Sequence, residues 1–302
     1  MKIGISVCSN YTMEDPREGA RYIVERARAA REANLDTLFI GDHHVTPVHY
    51  YQNIPMLGRM LSEWDDKPAG ALFMLPYWNP VLLAEQIGTL ASLMSGRFIL
   101  QCALGGDPRH AKALGIDTGR RVAMFNESLE IMRRLWAGEV VDHDGYWKIE
   151  RARISPRPPE EVEVWVGAVA EAAIERTART ADGWLAATGL TLQQSEEHLK
   201  YYQDACARHG RPPGAMVIRR DFFIGETSQA AEAAMRPYLE KGYRGIAEEA
   251  LPIGSPQQVA DMFQVYFDMG YTEILVRNIT ADQHDALASI ERLVQVREVL
   301  NG

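Results

Sequence analysis

The sequence predicts a closed (β/α)8 TIM barrel, an α/β fold, and three observations carry that prediction. Eight short β-branched or apolar runs recur along the 302 residues. Amphipathic stretches of helical period lie between them, the signature of parallel βαβ units. No Pro/Ser-rich linker divides the chain, so residues 1–302 read as a single barrel domain. A doubly wound open sheet is the rival architecture, and the even spread of eight strands favours closure.

Strands are expected at Ile3–Cys8, Thr37–Gly41, Gly70–Leu75, Phe98–Leu104, Val162–Val166, Gly183–Ala187, Met216–Ile224 and Glu273–Val276. Helical patterns occupy Glu18–Asn34, Pro80–Met94, Ala123–Trp136, Glu171–Ala181, Leu192–His209, Ser228–Lys241, Pro256–Met269 and Ala281–Leu300. Ser255-Pro256-Gln257-Gln258 combines an N-cap, Pro at the first helical position and a capping-box Gln, and Gly270 follows as the C-cap. Two connections exceed what a minimal barrel needs. The insertion after strand four carries a helix and an expected hairpin around Val140–Trp147, and the one after strand seven carries a helix and then Gly242-Tyr243-Arg244-Gly245. Both are expected at the barrel mouth, where substrate selection occurs.

Composition excludes several function classes. The formal charge of −9 argues against nucleic acid as the default partner, since phosphate binding needs a surplus of cations. No stretch approaches the ~18 apolar residues of a membrane span. The N-terminal apolar run is too short for a signal peptide. The three cysteines, Cys8, Cys102 and Cys206, are widely spaced and form no CxxC pair, against a disulfide framework or structural zinc. A soluble, cytoplasmic protein is the expectation.

In a barrel the reacting groups gather at the C-terminal ends of the strands. Those positions hold Cys8-Ser9-Asn10, Asp42-His43-His44, Pro76-Tyr77-Trp78, Cys102 with Gly105-Gly106, Gly167-Ala168-Val169, Thr188-Gly189, Gly225 and Arg277-Asn278. A histidine beside Asp42 suits general acid/base work, because imidazole titrates near pH ~6.5. A metal site from His43, His44 and His49 is the second reading; adjacent strand residues point to opposite faces, which weighs against it. A loop histidine held only by hydrogen bonds is the third. Gly105, Gly106 and Gly167 permit close backbone approach to a ligand, and the helix after Gly167 offers free amides to a phosphate. No GxGxxG, P-loop or GxSxG motif is present, so no nicotinamide domain is expected. Cys102 reads as a packing residue rather than a nucleophile. Trp64, Tyr77 and Trp78 are candidates for an apolar, planar-ligand pocket, with Cys8 and His44 beside them.

Five segments resemble the bacterial luciferase-like flavin-dependent monooxygenase superfamily: Leu38–His44, Leu72–Val81, Leu93–Phe98, Ala178–Trp184 and Gly254–Ala260. The resemblance spans nearly the whole chain and implies the same barrel fold. It implies a cofactor site at the mouth for externally supplied reduced FMN, used with O2 to oxygenate a small organic substrate, with a separate flavin reductase as partner. It equally implies the alternative of deazaflavin F420 and hydride transfer; a non-catalytic flavin-binding protein is the third reading. His43 matches the family's catalytic histidine, and Cys102 matches a cysteine beside the flavin. A non-proline cis peptide is expected near Ala71–Leu72, beneath the ring. The cofactor phosphate is expected between the loop after strand four and Gly167-Ala168-Val169-Ala170. The chain departs from the family there. Ala170 ends a run without a small hydroxylated residue, and Ala103 stands where luciferases place a phosphate-binding Arg, with Arg109 the candidate substitute. A homodimer through Pro80–Met94 is the assembly the resemblance implies, with no metal.

Overall fold

The computed structural model describes residues 1–64 and 66–302. Eight parallel strands close on themselves: β1 Lys2–Val7, β2 Leu38–Ile40, β3 Ala69–Met74, β4 Phe98–Ala103, β5 Glu163–Gly167, β6 Gly183–Ala186, β7 Ala215–Ile224 and β8 Glu273–Asn278. Each pairs with its sequence neighbour, β6 pairs with β7 from Gly183↔Ala215 to Ala186↔Ile218, and β8 returns to β1 through Lys2↔Glu273. This is the TIM barrel the sequence predicts.

Alternation along each strand sorts side chains into two sets. Phe39, Ile99, Trp165, Val217 and Leu275 meet inside the barrel as a small separate cluster. Ile5, Leu38, Ile40, Ala71, Phe73, Leu100, Cys102, Val166, Ile218 and Val276 belong instead to the large core under the helices. Below the interior cluster, Glu273 is 2% exposed and accepts a hydrogen bond from the Thr37 hydroxyl. A Cβ at Gly4 would strike both of these side chains, so glycine is needed for the barrel floor to close.

The helix punctuation holds. Ser255 and Gln258 exchange the two capping-box hydrogen bonds, and Gly270 ends the helix Pro256–Met269 at φ 111°. The expected helix Ala281–Leu300 is two helices, Gln283–Glu291 and Leu293–Asn301, joined at Arg292 (φ −67°, ψ −11°). One residue so close to helical geometry leaves no mark on sequence periodicity. The helix Asn53–Trp64 between β2 and β3 is not among the elements the sequence predicts. Pro55 falls in the first turn, where its missing N–H costs nothing. Leu57, Met60, Leu61 and Trp64 then form the buried face.

The two long connections differ in placement. After β4, the helix Pro108–Ala113 remains at the mouth, but the hairpin Val141–Asp144/Lys148–Ala152 does not. Glu127, in the second turn of the helix Arg121–Trp136, accepts from the backbone N–H of Tyr146 and Trp147 and contacts His143 at 3.1 Å. The hairpin therefore packs along the barrel's outer helix, where a carboxylate can satisfy its turn. After β7, the helix Ser228–Leu239 and the segment Ile253–Gly254 build a core of their own around Phe223, Ala231, Met235, Leu251 and Ile279. That core carries Tyr243 and Arg244 back to the barrel.

Candidate active site

β2 delivers Asp42, His43 and His44 to the mouth, and each takes a different role. Asp42 is 7% exposed. Its Oδ2 accepts from the Met74 backbone N–H at 2.8 Å and from the Trp78 indole N–H at 3.0 Å, tying the ends of β2 and β3 together. Its Oδ1 lies 2.9 Å from His44 Nε2, in a contact too bent to count as a hydrogen bond. Asp42 therefore faces His44, not His43.

His43 stands edge-on to the His110 ring, with centroids 4.6 Å apart, and 5.3 Å from the Tyr50 ring. Partial burial, with His110 and His44 adding positive charge nearby, pulls its pKa below the usual 6.5. The imidazole is thus neutral at neutral pH and able to accept a proton. Tyr50 lies across Gly41: a Cβ there would sit 2.7 Å from the Tyr50 hydroxyl. Burial raises the Tyr50 pKa, keeping that hydroxyl protonated as a donor. Asp107 caps the helix that carries His110. Sequence reasoning missed Tyr50 and His110, which come from a two-residue strand and a six-residue helix with no periodic signal.

The floor is made by inward-facing residues of β3 and β4. Leu72 is half-buried with its carbonyl accepting from Asn53 Nδ2 at 2.8 Å. Gln101 is 4% exposed, and its Nε2 donates to no described residue. Gly105 takes φ 68°, and a Cβ there would lie 2.9 Å from the Tyr77 ring, so the loop after β4 closes against Tyr77 only as glycine. Gly106 is exposed and open to the mouth side.

Several expected site residues lie elsewhere. Ala71 and Cys102 are fully buried in the helix-facing core, because the pleat that turns Leu72 and Gln101 inward turns these two outward. Burial also pushes the Cys102 thiol pKa up, leaving it inert. The Ala71–Leu72 peptide is trans: Ser155–Pro156 is the cis bond found among the described residues, and β3 pairs with β4 without interruption from Ala69 to Met74. Trp64 is fully buried at the opposite end of the barrel, its indole N–H donating to Lys67 O and Pro68 O just before β3 begins. Arg109 points into solvent, 88% exposed, and pairs with Asp107 at 2.7 Å rather than reaching the mouth. Ala168 is buried under the helices, while Gly167 is half-buried and Val169 and Ala170 are exposed. His49 is exposed and does not converge with His43 and His44.

Cys8 stays at the mouth, but with a cluster that the sequence reading did not assemble. Arg277 on β8 donates to the Cys8 sulfur at 3.2 Å and to Asp221 Oδ2 at 3.1 Å. Tyr243 and Arg244 donate to the same Asp221 oxygen at 2.9 and 2.7 Å. Arg219 Nε lies 3.7 Å from Asp221 Oδ1 without forming a hydrogen bond. A cavity of about 730 Å³ between Trp136, Pro158, Asp182 and Arg211 opens at the other end of the barrel, before β5 and β6 begin. It is far from this chemistry.

The family model for luciferase-like monooxygenase matches residues 1–273. The chain belongs to the luciferase-like monooxygenase family. Among curated relatives, an F420-dependent glucose-6-phosphate dehydrogenase of Nakamurella multipartita is 24% identical, with 89% of this chain and 90% of the relative covered. Among solved structures, an F420-dependent secondary alcohol dehydrogenase bound to an F420–acetone adduct superposes with a TM-score of 0.82 at 15% identity, over 99% of each chain. The oxygenating constituent of 3,6-diketocamphane monooxygenase of Pseudomonas putida, in complex with FMN, reaches 0.83 at 18% identity, over 100% of this chain and 98% of that one. At those identities the structural likenesses establish the fold. Among the described residues, no helix is long and apolar enough to cross a membrane.

Proposed function

We propose that this protein is an F420-dependent oxidoreductase that moves a hydride between a small organic substrate and the deazaflavin. The carrying observation is His43: a neutral imidazole at the barrel mouth, between Tyr50 and His110. The likeness of nearly the whole chain to F420-dependent glucose-6-phosphate dehydrogenases supports the choice of cofactor over FMN. Cys102, which the resemblance places beside the flavin of luciferase-type members, faces the helices instead of the mouth.

The residues present fit such a group. Gln101 Nε2 is a buried donor without a partner among the described residues, suited to a ring carbonyl. The helix Glu171–Thr180 begins at Ala170 with no side-chain cap, so its first amides are free for a phosphate. When bound, the deazaflavin supplies a carbon that accepts or donates hydride. In the oxidising direction His43 takes the proton from the substrate hydroxyl while the adjacent carbon loses hydride; in the reducing direction His43 returns that proton to the carbonyl oxygen. Tyr50 donates towards the substrate oxygen, and Leu72 and Gly105 shape the floor that excludes water.

The test adds oxidised F420 and reduced FMN separately to the full chain. Binding of F420 with spectral bleaching on addition of an alcohol supports the proposal. O2 uptake with reduced FMN and no F420 binding would return the FMN monooxygenase reading, with its flavin reductase. Binding of neither cofactor removes both.

A further inference from the structure

One carboxylate answers three guanidinium groups on the β7–β8–β1 side of the mouth. Asp221 is fully buried, yet Arg219, Arg244 and Arg277 all converge on it. Their side chains are 25%, 44% and 20% exposed, so each lines a space that solvent reaches. Two positive charges are left over. Arg277 stays charged despite its burial, donating to Asp221 Oδ2 at 3.1 Å and to the Cys8 sulfur at 3.2 Å. Burial works against the charge of Arg219, lowering its pKa to about 10, which still leaves it cationic at neutral pH. The Arg219 side chain donates no hydrogen bond to a described residue, although its Nε is buried. A deep guanidinium without an acceptor is costly unless something else supplies one.

The loop that brings Arg244 is held in a demanding conformation. Gly242, Arg244 and Gly245 take φ 69°, 51° and 68°. The left-handed region is strained for a residue that carries a Cβ, as Arg244 does. The bonds from Tyr243 and Arg244 to Asp221 keep the loop over the mouth despite that strain.

We propose that Arg219, Arg244 and Arg277, gathered around Asp221, form a seat for an anionic group of the substrate, a phosphate or a carboxylate. The forked donors of arginine suit either anion. The seat lies across the barrel from β4 and β5, whose following loops and helix amides would take the cofactor phosphate, so the two anions do not compete. β1 separates it from His43 on β2, and a substrate anchored by its anion extends across the mouth towards that imidazole. Recognition of the substrate class rests on the reading of this mouth as the reaction site.

The experiment titrates the full chain with inorganic phosphate and, separately, with acetate, at constant ionic strength, by calorimetry, with and without F420. The expected result is binding of at least one anion in the presence of F420. Arg219→Gln and Arg277→Gln each weaken it about ten-fold or more, while the F420 affinity of the same variants is unchanged. Phosphate binding alone assigns a phosphate monoester, and acetate binding alone assigns a carboxylate. Should a buried substitution unfold the chain, Arg244→Gln at the exposed rim and Arg277→Lys, which keeps the charge but loses the fork, still weaken binding. No anion binding to the wild-type chain, equal binding by the variants, or displacement of the anion by F420 overturns the seat. If F420 fails to bind while anion affinity follows the three arginines, the cofactor reading fails and the seat stands.

Discussion

Glu273 opens β8 at the floor of the barrel, and replacing it with Gln tests the closed interior directly. Burial raises its carboxyl from the ordinary value of 4.5 to about 7, the Thr37 hydroxyl and the Lys2 charge offsetting only part of the loss of water. Between those two values the folded chain holds a proton that the unfolded chain releases. Stability therefore falls as pH rises from 4.5 through 7, and the loss is complete above 7. At roughly 1.4 kcal/mol per pH unit, the full window is worth about 3 kcal/mol. Glu273→Gln copies the shape and the uncharged state, and Thr37 retains an acceptor. The variant is expected to be more stable than the parent by up to about 3 kcal/mol at alkaline pH and to converge with it near pH ~4.5. Urea unfolding of both proteins across that range is the assay. A pH-independent difference between them, or a variant that is less stable at high pH, refutes the argument that an ionised carboxylate is forced into the floor.

Four further outcomes follow from the site. His43→Asn lowers turnover about 10²–10⁴-fold while leaving F420 binding intact; unchanged turnover removes its role as base. Because the His43 pKa lies below 6.5, activity in the oxidising direction rises with pH through a value under 6.5 and is level above it. Removing the neighbouring charge with His110→Ala moves that limb to higher pH, which a kcat/KM profile reads. Asp42→Ala strands the Met74 N–H and the Trp78 indole and costs about 3 kcal/mol in denaturant unfolding. We propose a homodimer through the helix Pro80–Ser92, where Leu82 is 60% exposed and Leu93 just beyond it is 60% exposed; Leu82→Asp then elutes as a monomer in light-scattering chromatography.

The strands were legible because each is a short apolar run bounded by turn residues, and every one of the eight expected runs overlaps an observed strand. The facing of those strands was not. A parallel strand in a barrel is buried on both sides, so hydropathy does not reveal which set of alternate residues points inward. Phe98-Ile99-Leu100-Gln101-Cys102-Ala103 is apolar in both phases apart from Gln101. That residue was the available clue: the polar side chain turns to the mouth, and Cys102 must then turn to the helices. Leu72 is in register with Gln101 and turns inward with it, which leaves Ala71 outside, but β3 itself holds no polar residue to signal this. The family likeness identified the two adjoining segments and could not correct for a shift of one residue.

Charge within β7 carried the strongest unused signal. Arg219-Arg220-Asp221 interrupts a strand that has no solvent-facing side, so each charge needs either a partner beneath the helices or a place at the mouth. Alternation divides them. Arg220 turns outward and donates to Thr188 O, Leu190 O and Ser195 Oγ at 2.7, 3.0 and 2.9 Å. Arg219 and Asp221 turn inward, where Arg277 from the next strand joins them. Such a cluster adds nothing to folding that an apolar plug would not, and the lower layer of this same barrel is filled by Phe39, Ile99, Trp165, Val217 and Leu275. The arginines begin where that plug ends. A net charge of −9 for the whole chain therefore coexists with a local cationic cluster at the mouth, where three arginines face one carboxylate.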